Sequence, residues 1–184
     1  MSWLIFFSYL KSQDRLPEAI ISCTGFLHEA DHLPEKKLTE LDHKFFTRNM
    51  ELNCYSHVLI SQIIEQTYKR KDQLKLVCLS AKVGSISDNH LGGWYSYRMS
   101  KAALNMFIKT LSIEWSRSRP NSIVAALHPG TTDTTLSEPF QKRISPDKLY
   151  SSSLTAERIA SVVANLNADD SGKLLFWDGS ALGY

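Results

Sequence analysis

The chain has 184 residues, 43% of them apolar and 22% charged, which is enough for one domain with a buried core. Its 21 lysines and arginines nearly balance 19 aspartates and glutamates, so the composition argues against a nucleic-acid-binding or polybasic membrane surface. Three cysteines, Cys23, Cys54 and Cys78, show no metal-ligand spacing and are typical of reduced thiols, which predicts a cytoplasmic protein.

The first part of the chain predicts one buried strand. Residues 1–10 are apolar but lack a charged leader and a cleavage site, so neither a signal peptide nor a membrane span is expected. This segment is predicted to be a strand or a loosely packed start. Residues 18–23 form a short apolar run that ends before Gly25, which predicts a buried strand, and residues 25–34 are predicted to form a loop or a single turn.

The middle of the chain predicts helices on either side of a second strand. Residues 38–70 carry helical periodicity, with one interruption expected near residues 49–53. Residues 74–80 predict a buried strand, and residues 95–118 predict a long helix that must end before Pro120. One apolar stripe of this helix repeats at alternating spacings of four and three residues, and it consists of Tyr97, Lys101, Leu104, Ile108, Leu111 and Trp115.

The last part of the chain completes an α/β pattern. Residues 122–128 predict a third strand, and residues 173–177 a fourth. Between them lie a polar loop and a helix that Thr155 is expected to cap. Strands that alternate with helices predict a Rossmann-like parallel sheet with flanking helices on both faces. Ligands bind beyond the carboxyl ends of such strands, where the loops after Cys23, Ser80 and His128 meet.

Tyr97 and Lys101 are the most informative pair in the chain. On a helix, residues four apart lie one turn apart on the same face. A cation beside a phenol favours the phenolate, so the pKa of Tyr97 is predicted to fall below its usual value of about 10. A tyrosine of this kind could exchange a proton with an alcohol or a carbonyl near neutral pH.

Residues 79–105, LSAKVGSISDNHLGGWYSYRMSKAALN, resemble the short-chain dehydrogenase/reductase family, in particular its C-factor and Sniffer-like carbonyl reductase branch. The similarity extends from about Ile20 to the C-terminus. Residues 22–25 resemble the family's Asn-Asn-Ala-Gly turn, and Asn53 stands where the family keeps an active-site asparagine. Residues 129–134 resemble the Pro-Gly loop that closes over the nicotinamide.

This resemblance implies an NAD- or NADP-dependent oxidoreductase that acts on a small carbonyl or alcohol. It implies that Tyr97 donates or accepts the proton, that Lys101 holds the nicotinamide ribose and lowers the pKa of Tyr97, and that Asn53 anchors a water linking Lys101 to solvent. It further implies a set of cofactor-binding residues, with Thr134 and the backbone after Gly130 at the carboxamide; beside Tyr97 and Lys101, this set is Gly25, Pro129, Gly130, Thr132 and Thr134.

The chain departs from the family at the catalytic serine. The family keeps this serine three residues before the glycine of the strand-end loop, and here that position is Ala81. Ser85, twelve residues before Tyr97, is predicted to replace it, with Ser80 as the alternative. A structural serine that caps the loop is an equally open interpretation of either residue.

A second departure concerns the dinucleotide. No Gly-x-Gly-x-x-Gly or Gly-x-x-x-Gly-x-Gly motif, which cradles the pyrophosphate, occurs in the 184 residues. The expectation is one partial Rossmann-like domain, truncated to the C-terminal half of the family fold, with an atypical segment over residues 1–17 and a family-like core over residues 18–184. The strand near Ile20 then lies at an edge, and weak or no binding of NAD or NADP is expected.

Two alternatives compete with a reductase. Residues 28–32 spell His-Glu-x-x-His, a zinc hydrolase motif, but Gly25 and Pro34 leave too little room for its helix, so no metal is predicted. The helices near residues 53–70 and 95–118 resemble those that form the family's subunit interface. They predict a homo-oligomer or, if catalysis is lost, a partner-binding or signalling module. His128 is predicted to pack rather than act as a base, and Trp94 and Tyr95 are possible pocket residues.

Overall fold

The computed structural model describes residues 3–29 and 31–184. Its strands are β1 (Ala19–Ser22), β2 (Leu74–Leu79), β3 (Ser122–His128), β4 (Thr131–Thr132), β5 (Leu149–Tyr150), β6 (Leu174–Phe176) and β7 (Ala181–Leu182). The main sheet has five strands in the order β1-β2-β3-β6-β7. The first four run parallel, β7 is antiparallel to β6, and β4 pairs with β5 in a separate parallel ladder. The predicted Rossmann-like α/β sheet is confirmed, together with all four predicted strands. The prediction that the first of them is buried is wrong, because β1 stands at the end of the strand order and Ile21 is 39% exposed.

Within the described residues, five α-helices accompany the sheet. They are α1 (Trp3–Ser12), α2 (His43–Met50), α3 (Ser56–Thr67), α4 (Tyr95–Ser118) and α5 (Ser152–Asn165). Short 3-10 helices lie at Leu38–Glu40, Lys82–Gly84, Glu138–Arg143, Pro146–Lys148 and Ala168–Asp170. The bounds predicted for α4 are confirmed, because its apolar stripe is continuous and Pro120 prevents extension.

The predicted interruption between α2 and α3 is also confirmed. It is a π-helical turn over Glu51–Tyr55, which inserts one extra residue into the helical repeat and turns Asn53 inward. Asn53 has no exposed surface. Single π turns in helices are frequent at functional sites, so the inward-facing Asn53 is a candidate for a role at the site.

The central strands β2 and β3 are buried on both faces, as their apolar sequences predict. Successive side chains of a strand point to opposite faces, so Leu76 and Cys78 pack with the buried stripes of α3 and α4, whereas Val77 packs with α5. All six residues of the predicted α4 stripe are buried. This packing fixes the start of α4 against the carboxyl ends of β2 and β3.

Two local predictions are wrong, and one strand was missed. Residues 3–10 lie in α1 rather than in a strand, although their packing is loose: Phe7 is buried against Tyr68 with ring centres 6.4 Å apart, whereas Trp3, Ile5 and Tyr9 are exposed; residues 1–2 lie outside the described part. Ser151, not Thr155, caps α5, because its Oγ accepts the Leu154 N–H at 3.2 Å. Strand β7 was not predicted, because a two-residue strand carries no periodicity.

No helix in the part of the chain that the structure describes combines the length and the apolar character needed to cross a bilayer.

Candidate active site

A cavity of about 260 Å³ opens beyond the carboxyl ends of β1, β2 and β3, at the edge of the sheet where a ligand was expected. Its lining includes seven of the predicted site residues, namely Gly25, Tyr97, Lys101, Pro129, Gly130, Thr132 and Thr134. The rest of the wall is largely apolar and includes Leu27, Val83, Trp94, Leu136, Phe140 and Ile144. Two predicted residues, Asn53 and Ser85, are not part of this lining.

Tyr97 and Lys101 lie together at the start of α4, as their spacing predicts. Their side chains are buried, with exposures of 7% and 3%. The Lys101 Nζ lies 5.8 Å from the centre of the Tyr97 ring and donates a hydrogen bond of 2.8 Å to the carbonyl of Leu79. The last residue of β2 thus holds the lysine in place beside the tyrosine.

The predicted lowering of the Tyr97 pKa is wrong. Burial in apolar surroundings raises the pKa of Tyr97 above its usual value, and burial also lowers the pKa of Lys101 to about 8. Both shifts have the same physical cause, since desolvation disfavours the charged form of each group. Tyr97 is therefore a neutral phenol at neutral pH and a weaker acid than an exposed tyrosine.

Asn53 holds the loop after β1 against the helices. Its Oδ1 accepts the Phe26 N–H at 2.7 Å, and its Nδ2 donates to the Phe26 carbonyl at 2.7 Å and to the Ser100 Oγ at 3.0 Å. These bonds tie the loop at the cavity to α4, one residue before Lys101. Asn53 therefore holds the loop and α4 together without lining the cavity itself. Its predicted link to a water stays a prediction.

The geometry does not support Ser85 as the catalytic serine. Its Oγ donates at 2.6 Å to the carbonyl of Gly183, in the C-terminal segment, and the side chain is buried outside the cavity. Ser80, the alternative, lines the cavity, but its Oγ donates to the Asn105 Oδ1 at 2.7 Å. Each hydroxyl proton is therefore engaged within the protein rather than offered to a ligand.

Sequence reasoning missed Glu35, which anchors the first turn of α4. This carboxylate is 1% exposed; its Oε2 accepts the Ser96 N–H at 3.2 Å, and its Oε1 accepts the Ser96 hydroxyl. A negative charge at a helix N-terminus is stabilised by the helix dipole and by otherwise unpaired N–H groups. A single glutamate after a proline in a loop gives no sequence signal for this role.

We expect Glu35→Gln to lower the free energy of unfolding by about 1–3 kcal/mol, because the amide removes the charge and leaves part of the buried Ser96 pair unsatisfied. Urea denaturation measures the change. Glu114 is an exposed glutamate on α4, the helix that Glu35 anchors. Its substitution Glu114→Gln is the control, for which no comparable loss is expected. Equal stabilities of the two variants would contradict the anchoring role.

The two histidines of His-Glu-x-x-His lie in a loop and have separate partners. The backbone N–H groups of Glu29 and His32 each donate to the other's carbonyl, at 3.0 and 3.2 Å, which closes a tight turn. The His32 ring stacks on Phe45 with centres 4.1 Å apart, whereas the His28 Nε2 lies 3.1 Å from the Thr135 carbonyl oxygen. The described residues of this motif therefore lack the helix on which its zinc chemistry depends.

Two other histidines should make the protein acid-sensitive. Burial lowers the pKa of His57 and of His128 to about 4 each. The unfolded chain binds protons below pH about 6.5 while the native rings stay neutral, so stability is complete above that pH and falls towards pH 4. From pH 7 to 5 we expect a loss on the order of 2 kcal/mol from the fully buried His57, measured by urea denaturation. His57→Phe should flatten this dependence, and an unchanged slope would contradict it.

The family model described as "Enoyl-(Acyl carrier protein) reductase", of the short-chain dehydrogenase type, matches residues 9–177. The chain belongs to the short-chain dehydrogenase/reductase family. It is 28% identical over 171 residues to a 1-hydroxy-2-glutathionyl-2-methyl-3-butene dehydrogenase of Rhodococcus sp. (strain AD45), covering 91% of this chain and 71% of the relative. It is 26% identical over 144 residues to the C-signal protein of Myxococcus xanthus, covering 78% and 81%.

Solved structures of short-chain dehydrogenases/reductases share the fold. Carbonyl reductase Sniffer of D. melanogaster matches with a TM-score of 0.79 at 18% identity, over 99% of this chain and 75% of that one. An NADPH-bound carbonyl reductase from chicken fatty liver matches with a TM-score of 0.75 at 21% identity, over 98% and 72%. The predicted family is confirmed, and so is its fold.

Proposed function

We propose that the chain reduces a carbonyl compound to an alcohol, with Tyr97 as the proton donor and a nicotinamide dinucleotide as the hydride source. The observation that carries the proposal is one cavity in which Tyr97, kept neutral by burial, meets Lys101 and the loop of Pro129 and Gly130. Membership of an oxidoreductase family supports the same reaction class.

The lining of the cavity suits the nicotinamide end of such a cofactor. Lys101 brings an ammonium group with donors left for ribose hydroxyls, and Thr132 and Thr134 bring hydroxyls beside Gly130. When bound, the cofactor supplies the hydride that the carbonyl carbon accepts. The weak binding of NAD or NADP that the missing Gly-rich motif predicts stays a prediction.

In this proposal Tyr97 performs the proton transfer. Its hydroxyl donates a hydrogen bond to the carbonyl oxygen, polarises the bond and transfers its proton as the carbon is reduced, which yields the alcohol. The resulting phenolate is stabilised by the adjacent Lys101 ammonium until a proton returns from solvent. Because the protons of Ser80 and Ser85 are engaged elsewhere, Tyr97 acts with less assistance than the family pattern implies.

The test is reduction of a simple aromatic aldehyde by the purified chain with NADH or NADPH, followed by the loss of reduced-nicotinamide absorbance and by isolation of the alcohol. Turnover above the protein-free reaction supports the proposal. A well-folded chain that binds the cofactor, shown by calorimetry, but forms no alcohol from any aldehyde or ketone would contradict it.

We propose that the protein acts in a reducing compartment such as the cytoplasm, because Cys23, Cys54 and Cys78 are free thiols.

A partner-binding role is the second candidate, and exposed apolar side chains on α3 and α4 favour it. Tyr55, beside α3, and Leu59 are about half exposed, as is Ile113, and Met106 is 67% exposed. We propose that these helices pair two copies of the chain. Sedimentation should give a dimer, and Met106→Glu a monomer, whereas Leu91→Glu, at a 92% exposed residue outside both helices, should stay dimeric. A wild-type monomer would contradict this pairing.

A further inference from the structure

Trp94 adopts a backbone conformation that large residues avoid. Its φ of 53° and ψ of 43° lie in the left-handed region, just before α4 begins. A non-glycine residue there is strained and persists only where its surroundings impose the conformation. Here the Trp94 N–H donates to the Glu35 carbonyl at 2.5 Å, and the Glu35 side chain holds Ser96. Such strain at a cavity wall points to a role for the side chain that it positions.

The Trp94 ring forms an aromatic wall of the cavity together with Phe140. The centres of these two rings are 4.8 Å apart. The centre of the Trp94 ring also lies 6.2 Å from that of the Tyr97 ring, in an edge-to-face arrangement. Phe140 lies on the short helix Glu138–Arg143, and the centre of its ring is 5.9 Å from that of the His28 ring. The wall is therefore held from three separate segments of the chain, and it stands directly beside the proposed proton donor.

The cavity around this wall is largely apolar, with Leu27, Leu136 and Ile144 among its lining residues. A ligand ring packed on Trp94 and Phe140 would therefore also bury its remaining apolar surface against these side chains.

We propose that the cavity selects aromatic aldehydes and ketones, with Trp94 as the residue that determines this preference. The inference rests on the proposed function and names its substrate class. An aryl ring packed on Trp94 and Phe140 gains offset or edge-to-face contacts beyond the burial of its area. Because the Trp94 ring lies beside the Tyr97 ring, such packing brings the ligand's carbonyl group near the proposed proton donor.

The left-handed backbone at Trp94 allows substitutions that remove the side chain without straining the backbone. Gly and Asn suit the conformation that Trp94 is forced to adopt, so Trp94→Gly and Trp94→Asn should remove the wall and leave the urea midpoint unchanged or higher. Binding of acetophenone, measured by calorimetry without cofactor, should weaken about tenfold or more in both variants. Leu91→Ala, at an exposed residue of the same loop, should bind like the wild type. Unchanged acetophenone affinity in the stable variants would overturn the proposal.

A second ligand isolates the aromatic contribution. The wild type should bind acetophenone more tightly than cyclohexyl methyl ketone, which has a saturated ring in place of the aromatic ring. Equal or tighter binding of cyclohexyl methyl ketone would overturn the proposal. These outcomes are independent of turnover: acetophenone that binds in this order but is never reduced contradicts only the proposed function, whereas reduction of all carbonyls without preference contradicts only this inference.

Discussion

Replacing Tyr97 by Phe is expected to slow carbonyl reduction by about 10²- to 10⁴-fold, the contribution typical of a positioned general acid. The change removes one hydroxyl from a ring that packs at the cavity beside Trp94 and leaves the ring itself in place. The turnover number should therefore fall while the urea midpoint changes little. Rates of alcohol formation under saturating substrate and cofactor measure the effect.

Tyr95→Phe provides the matched control. Tyr95 begins the same helix two residues earlier, and its side chain is not among those that line the cavity. Side chains two residues apart on a helix differ in direction by about 200°, so the hydroxyls of Tyr95 and Tyr97 lie in different surroundings. The control should reduce carbonyls at the wild-type rate. Equal losses in both variants, or none in Tyr97→Phe, would refute the assignment of the proton donor.

Gly84→Ala is expected to lower the free energy of unfolding by about 1–3 kcal/mol and to damage the site as well. A Cβ atom at Gly84 would lie 2.8 Å from the Lys101 Cβ and 2.9 Å from the Lys101 carbonyl carbon. Both distances are shorter than van der Waals contact, and the second involves backbone, so α4 must move away from the loop. A displacement near 1 Å at a catalytic group costs on the order of 100-fold in rate.

Gly25→Ala separates this steric effect from the general cost of replacing a glycine. Its nearest neighbour would be the Asn53 Oδ1 at 3.9 Å, which is an ordinary contact. Urea denaturation should show a near-wild-type midpoint for Gly25→Ala and a clear loss for Gly84→Ala, and the turnover assay should show a loss for Gly84→Ala. A Gly84→Ala protein as stable as the wild type would contradict the close approach of this loop to Lys101.

The partners of buried polar groups lie far apart in the sequence, and this limited what could be predicted. Ser85 was predicted from its interval to Tyr97, yet its hydroxyl bonds to Gly183, 98 residues later in the chain. Glu35 reaches Ser96 over 61 residues. Neither pairing leaves a local pattern, because polar residues in loops look alike until the packed structure brings one partner to them.

The sequence by itself determined the fold class, the four parallel strands, the extent of α4 and the pairing of Tyr97 with Lys101, because these depend on local periodicity and on spacing along one helix. It also determined the family, through a motif that spans one strand, one loop and one helix. Only the tertiary structure decided the ionisation of Tyr97. The spacing to Lys101 predicts a lowered pKa, but burial excludes the water that would stabilise the phenolate and raises the pKa of Tyr97.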